Sequence, residues 1–169
     1  AAGEYPTSSA TLDTNLYFAF LYRFQSATDV SPDGEIMIRL NTQNSGTGSR
    51  QHWDLIARNA GGQMQVGITK AGATTTNYAA ALVNAGETFF VVVKHHIIPG
   101  AANDAYAVWI NPPLNSFGAN ESSLPPEGAA ISEGAEPRGS GPGRFVVAAG
   151  LTSEFDEWRI ATTGAEVTP

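Results

Sequence analysis

The segment Leu16-Tyr17-Phe18-Ala19-Phe20-Leu21-Tyr22-Arg23-Phe24 constrains the fold more than any other part of the chain. Successive side chains of a β-strand point to opposite faces. Leu16, Phe18, Phe20, Tyr22 and Phe24 would share one side, and Tyr17, Ala19, Leu21 and Arg23 the other. Both sides are largely apolar. A strand of this kind belongs centrally, between layers, rather than on a wet edge.

The rest of the chain reads as strand, turn, strand. Ser31-Pro32-Asp33-Gly34 is a turn, followed by alternation from Glu35 to Leu40. Asn41 to Ser49 reads as a polar loop. Trp53 to Ala57 and Gln63 to Thr69 form a hairpin around Asn59-Ala60-Gly61-Gly62. Tyr78 to Val83 fits a short strand or one helical turn. Thr88 to Ile98 is the strongest β run, and Ala105 to Asn111 stops at Pro112-Pro113. Leu114 to Pro142 changes to Gly, Pro, Ala, Ser and Glu, a long surface excursion. Arg144 to Ala149 and Phe155 to Ala161 close the series. Nine or ten strands at this spacing predict one all-β antiparallel sandwich domain over residues 1–169, with a Gly/Pro/Ala-rich loop at about 114–142.

Composition narrows the function classes. The chain has 169 residues, is 42% hydrophobic and carries a net charge of −7, so it can build a core but offers little to a phosphate backbone or an anionic membrane. It has no Cys, which excludes disulfides, thiolate metal sites and Cys nucleophiles. No apolar run is long enough for a membrane helix. Ala1-Ala2-Gly3-Glu4-Tyr5-Pro6 lacks the pattern of a signal peptide.

Three segments carry a resemblance. Tyr17-Phe18-Ala19-Phe20-Leu21-Tyr22-Arg23, Tyr106-Ala107-Val108-Trp109-Ile110-Asn111-Pro112 and Phe155-Asp156-Glu157-Trp158-Arg159-Ile160-Ala161-Thr162-Thr163 are similar, in this order, to strands of the concanavalin A-like lectin/glucanase superfamily. The nearest group is the LamG-like domains of bacterial surface proteins. The resemblance implies a jelly-roll sandwich and a secreted or cell-surface setting. It implies a structural role for Asp156 and a calcium ion at the sandwich rim. It also implies a further strand before Leu16, from Ser8 to Leu12; without it a sheet edge stays open to another copy of the chain.

The closing segment tests for catalysis. Retaining glucanases of this fold place three carboxylates at alternating positions on one strand face. Strict alternation puts Glu154 and Asp156 together, but Trp158 stands at the third position and Glu157 points away. Asp156, Trp158 and Ile160 would face one way and Phe155, Glu157 and Arg159 the other, with Glu157 and Arg159 forming an exposed pair. Jelly-roll polysaccharide lyases use a Gln-x-His strand and a Tyr-containing strand. Gln51-His52-Trp53 lacks that spacing, which reads His52 as a surface residue at the start of a strand. His95 and His96 point to opposite faces, one packed and one solvated.

For ligands, Trp53 at the end of a polar loop, Tyr78, His52 and Arg39 are the candidate sugar contacts. Aromatic faces stack on sugars, while Arg and His supply hydrogen bonds. Asn103 with Asp104, and Asp29 with Asp33, sit on turns and are the candidate calcium ligands, because hard cations take loop oxygens. Trp109 and Trp158 read as core. Asn120-Glu121-Ser122 matches a glycosylation sequon. The expectation is a non-catalytic adhesion or carbohydrate-binding module, with calcium as its candidate ion. The alternative is a structural subunit that assembles with copies of itself through a sheet edge, and an enzyme ranks last.

Overall fold

The computed structural model describes residues 13–42, 51–70, 75–99, 104–113, 130–131, 142–147 and 151–168. They form ten strands and one short helix: β1 (Thr14–Phe24), β2 (Glu35–Thr42), β3 (Gln51–Ala60), β4 (Gln63–Lys70), β5 (Asn77–Val83), β6 (Thr88–Ile97), β7 (Ala105–Ile110), β8 (Ala130–Ile131), β9 (Pro142–Val147), β10 (Ser153–Ala161) and α1 (Gly164–Val167). A first sheet has the order β10-β1-β6-β7-β8 and a second the order β5-β4-β3-β2-β9. Every recorded pairing is antiparallel.

The two-sided apolar strand takes the central position its sequence demands. β1 pairs with β10 on one side and β6 on the other. Leu16, Phe18, Phe20, Tyr22 and Phe24 enter the core between the sheets. On the opposite face Tyr17 and Ala19 pack with Val92, Trp109 and Val167, so α1 roofs that side. Each large side chain removed from water in this way contributes about 1.5–3 kcal/mol before entropy is counted.

Edge-on ring contacts join the sheets. Phe18 meets Trp53 of β3 at 5.7 Å, and Trp158 of β10 meets Phe145 of β9 at 4.4 Å. Gly61 and Gly62, with φ of +71° and +94°, form the two-residue loop of the β3–β4 hairpin. Both positions need positive φ in that turn, which glycine adopts without strain.

Among the described residues five register shifts interrupt the regular alternation, three of them in the β2–β3 and β1–β10 pairings. On β2, Ile36 opposes Ile56 while Ile38 opposes Leu55, so Met37 is the extra residue and both Met37 and Ile38 are buried. On β3, Leu40 opposes Trp53 but Asn41 opposes Gln51, which makes His52 the extra residue. On β10, Ala19 opposes Arg159 and Leu21 opposes Asp156. There Glu157 takes a left-handed φ of 55°. A bulge breaks the two-residue period and re-aims the side chains beside it.

Candidate functional site

Two polar constellations stand out, one on the outer face of the second sheet and one inside the sandwich. The outer face is built by register. Arg58 of β3 lies opposite Gln65 of β4, and Gly67 of β4 lies between Ile56 and Tyr78 of β5. Gly67 has no side chain, so the Tyr78 ring lies across it; a Cβ at Gly67 would stand 2.8 Å from Tyr78 Cδ1. The Arg58 guanidinium sits 3.9 Å from the Tyr78 ring centroid. Its Nε and Nη2 donate to Gln65 Oε1 at 2.9 and 2.6 Å, and Gln65 Nε2 donates to the Ala79 carbonyl at 2.7 Å. This bracing fixes the plane of a permanent cation and leaves its Nη1 donors outside the Gln65 contact.

Beside it, Arg39 of β2 makes a two-point contact with Asp54 of β3, at 2.8 Å from Nε to Oδ1 and 2.7 Å from Nη2 to Oδ2. Asp54 is buried and Arg39 half-buried. The hydrogen bonds to Asp54 hold the Arg39 guanidinium above its ordinary pKa, against a smaller opposing effect of burial. Arg39 and Tyr78, two of the expected sugar contacts, therefore share this face, and Arg58 and Gln65 complete it. Sequence reading missed Arg58. Its place opposite Gln65, three residues before Gly61 of the turn, was the available signal.

The interior constellation gathers at one end of the core. His95 of β6 and Tyr106 of β7 are cross-strand neighbours with rings 4.5 Å apart. His95 Nε2 bonds Asp104 Oδ2 at 2.9 Å, and the Ile98 backbone N–H donates to Asp104 Oδ1 at 2.9 Å. Lys70, the last residue of β4, donates from Nζ to the Asp104 carbonyl at 3.0 Å. The His52 ring lies 5.4 Å from that of His95. Burial pushes the Asp104 carboxyl upward, but bonds from His95 and Ile98 and the nearby cations outweigh it and hold it below the ordinary carboxylate range.

Several expectations need correction. His52 is not a surface residue: the β3 bulge turns it inward beside Trp53, and both are buried. Trp53 is not displayed for a sugar either, being 0% exposed against Phe18 and Phe145. Asp104 is not a rim ligand on a solvated turn, since both of its carboxylate oxygens are taken inside the fold. Its expected partner Asn103 lies outside the described residues. Asp29 sits in a short 3₁₀ turn and, like Asp33, is exposed. Among the described residues neither belongs to a cluster with metal-holding geometry.

Asp156 is not a buried anchor. It is exposed, and its Oδ1 accepts the Glu157 N–H at 2.8 Å. The β10 bulge also overturns the strict alternation: Phe155 and Trp158, three apart, both pack on Phe20 at 5.1 Å. Glu154 and Asp156 border an open cavity of about 330 Å³ with Arg23. Glu154 is engaged there by Gln25 at 2.7 Å and Arg23 at 3.4 Å. The glucanase triple does not assemble. Glu157 and Arg159 form the exposed pair at 3.6 Å. His95 is packed, while His96 meets Asp13 at the surface at 2.7 Å. The expected strand at Ser8 to Leu12 and the sequon at Asn120 lie outside the described residues.

No protein-family profile and no curated protein matches the sequence. The fold itself has solved relatives. An endo-β-1,4-glucuronan lyase from the fungus Trichoderma reesei superposes with a TM-score of 0.52 at 13% identity, covering 96% of this chain and 75% of the lyase. The chain is a jelly-roll sandwich. An alginate lyase from Pseudomonas aeruginosa (TM-score 0.48, 12% identity, 89% of this chain and 65% of the other) and a pentraxin from Limulus polyphemus (0.44, 15%, 92% and 68%) are also similar.

The glucuronan lyase corrects the expectation that the domain is not an enzyme. That expectation rested on the missing carboxylate triple and on the absent Gln-x-His spacing of the lyases. The fold found here is shared with a glucuronan lyase, so the absence of those motifs does not make the domain a non-enzyme. Among the described residues no helix is long and apolar enough to cross a membrane.

Proposed function

We propose that the domain engages an acidic polysaccharide across the outer face of its second sheet. Arg58 carries this reading. It is a permanent cation laid on the Tyr78 ring and held in plane by Gln65, with donors left to bind a sugar carboxylate in a two-point contact. A net charge of −7 makes a braced cation on an open strand face more telling, since the rest of the surface repels an anionic chain. The glucuronan lyase relative acts on a polymer of that charge. A LamG-like kinship and a secreted or surface setting belong to the same proposal.

The test is titration calorimetry with polyglucuronate, alginate and a neutral β-glucan. Binding to the acidic polymers, weakened by salt and lowered about tenfold or more in Arg58→Ala, is expected; each lost charged two-point contact is worth about 1.5–3 kcal/mol. Equal binding of the neutral glucan, or an Arg58→Ala variant that binds like the parent, sinks the reading.

A second reading is β-elimination at the same face. Tyr78 holds the phenol there, beside a guanidinium able to neutralise the uronate carboxylate. In that step the C5 proton passes to a base, its bonding electrons form the C4=C5 double bond, and the C4–O bond breaks with the departing oxygen taking up a proton, which leaves an unsaturated uronate and a free hydroxyl end. Release of that ultraviolet-absorbing product by the parent, and its loss in Tyr78→Phe, supports the elimination. No product from any polyuronate removes it.

A further inference from the structure

The interior constellation has a geometry that hydrogen bonding within a core does not require. His52, His95 and Asp104 each bring a donor atom to within 4.8 Å of the others, and all three residues are buried, at 5%, 0% and 3% exposure. They come from three separate segments: the bulge of β3, the end of β6 and the entry to β7. His52 reaches the cluster because the bulge inserts one residue into β3 and turns the imidazole inward.

We propose that His52, His95 and Asp104 form a binding site for a divalent transition-metal ion, separate from the sugar-binding face. Two imidazoles and one carboxylate suit zinc or ferrous iron and not calcium, which takes oxygen ligands. Metal–nitrogen and metal–oxygen distances near 2.1 Å place ligands about 3.4 Å apart. Here the three donor atoms lie within 4.8 Å of one another, so an ion would have to draw the widest pair inward. The Ile98 N–H on Asp104 Oδ1 is the outer contact that orients a ligating carboxylate. The Tyr106 ring, tilted against the imidazole at 4.5 Å, limits the rotation of His95.

One feature opposes the ion and supplies the sharpest test. The Lys70 ammonium lies 3.0 Å from the Asp104 carbonyl, so it repels any cation entering the cluster. Replacing it by an uncharged chain of similar length raises metal affinity under this proposal. A purely structural network predicts no metal effect, only lost stability.

The experiment uses the chain stripped with chelator and titrated with Co²⁺, then Zn²⁺. Expected are one equivalent of Co²⁺ with the intense visible absorption of a low-coordinate ion, its displacement by Zn²⁺, and a melting temperature raised by Zn²⁺ and lowered again by chelator. His52→Ala and Asp104→Asn should lose the absorption, and Lys70→Met should bind roughly tenfold more tightly or better. Circular dichroism of each variant checks that it folds. Folded parent protein that takes up no stoichiometric Co²⁺ or Zn²⁺ overturns the proposal, even if the variants fail to fold. So does a folded His52→Ala variant that keeps the absorption. Glycan binding is read separately and has no bearing on this outcome.

Discussion

Gly67→Ala puts the outer-face geometry under a direct test. Gly67 is not in the left-handed region, so alanine can adopt its backbone and the conflict is one of space. A Cβ there would meet the Asn77 carbonyl oxygen at 2.7 Å, Thr76 Cγ2 at 2.8 Å and Tyr78 Cδ1 at 2.8 Å. The first is backbone, fixed in the neighbouring strand, and cannot swing aside. Overpacking of this kind costs about 1–3 kcal/mol. Alanine returns about 0.4–1 kcal/mol by restricting the unfolded chain. The net loss is about 1–2 kcal/mol, a fall of about 2–8 °C in melting temperature for a chain of this length. Urea denaturation gives the energy. A cycle with Tyr78→Ala gives the part due to the ring, so the penalty should shrink in that background and stay above zero. Acidic-glycan binding should weaken too, because displacing Tyr78 removes the platform under Arg58. A Gly67→Ala protein as stable as its parent, with an unchanged Tyr78 environment, refutes the packing argument.

Other perturbations have expected signs. Arg39→Ala strands the buried Asp54 carboxylate and should cost about 2–4 kcal/mol by chemical denaturation, while removing both charges should cost less than the single change. Phe20→Ala empties a site that is 0% exposed and stacked on Trp158, with an expected loss of about 3–5 kcal/mol. The lowered Asp104 pKa means the folded state binds fewer protons than the unfolded one in that range. Its stabilisation is therefore present above the ordinary carboxylate pKa and lost as pH falls through the depressed one. Stability measured from pH 6 downward should fall more steeply for the parent than for Asp104→Asn.

The layers and most strands of the fold were legible because alternation and glycine placement report them directly. Leu16 to Phe24 announced a central strand, and Asn59-Ala60-Gly61-Gly62 announced the hairpin. What stayed hidden were the bulges. Glu157 occupies a left-handed position that sequence associates with glycine or asparagine, so nothing marked the change of face before Trp158. His52 is one extra residue whose effect depends on the pairing of Asn41 with Gln51, a contact between segments. The candidate site suffered most, since His52 was read as a surface residue at a strand start and Asp156 took a structural role from the resemblance alone. Arg39 and Tyr78 fell on one face although both lie beside register shifts, Arg39 between the two of the β2–β3 pairing and Tyr78 next to that of β4–β5. Arg58 was overlooked because its braced geometry depends on Gly67, eleven residues from Tyr78 and on a different strand.

The central place of β1 also sets the order in which this fold can be made. Its two partners are distant in the chain: Arg23 meets Glu154 across a separation of 131 residues. During synthesis β1 leaves the ribosome long before β6, and longer still before β10 or the α1 roof. Both of its apolar faces must wait through that interval, unable to form their native pairs. Such long-range closure slows folding and exposes sticky surface while it lasts. The strand that does most to define the finished sandwich is thus one whose apolar faces stay uncovered until late in its making.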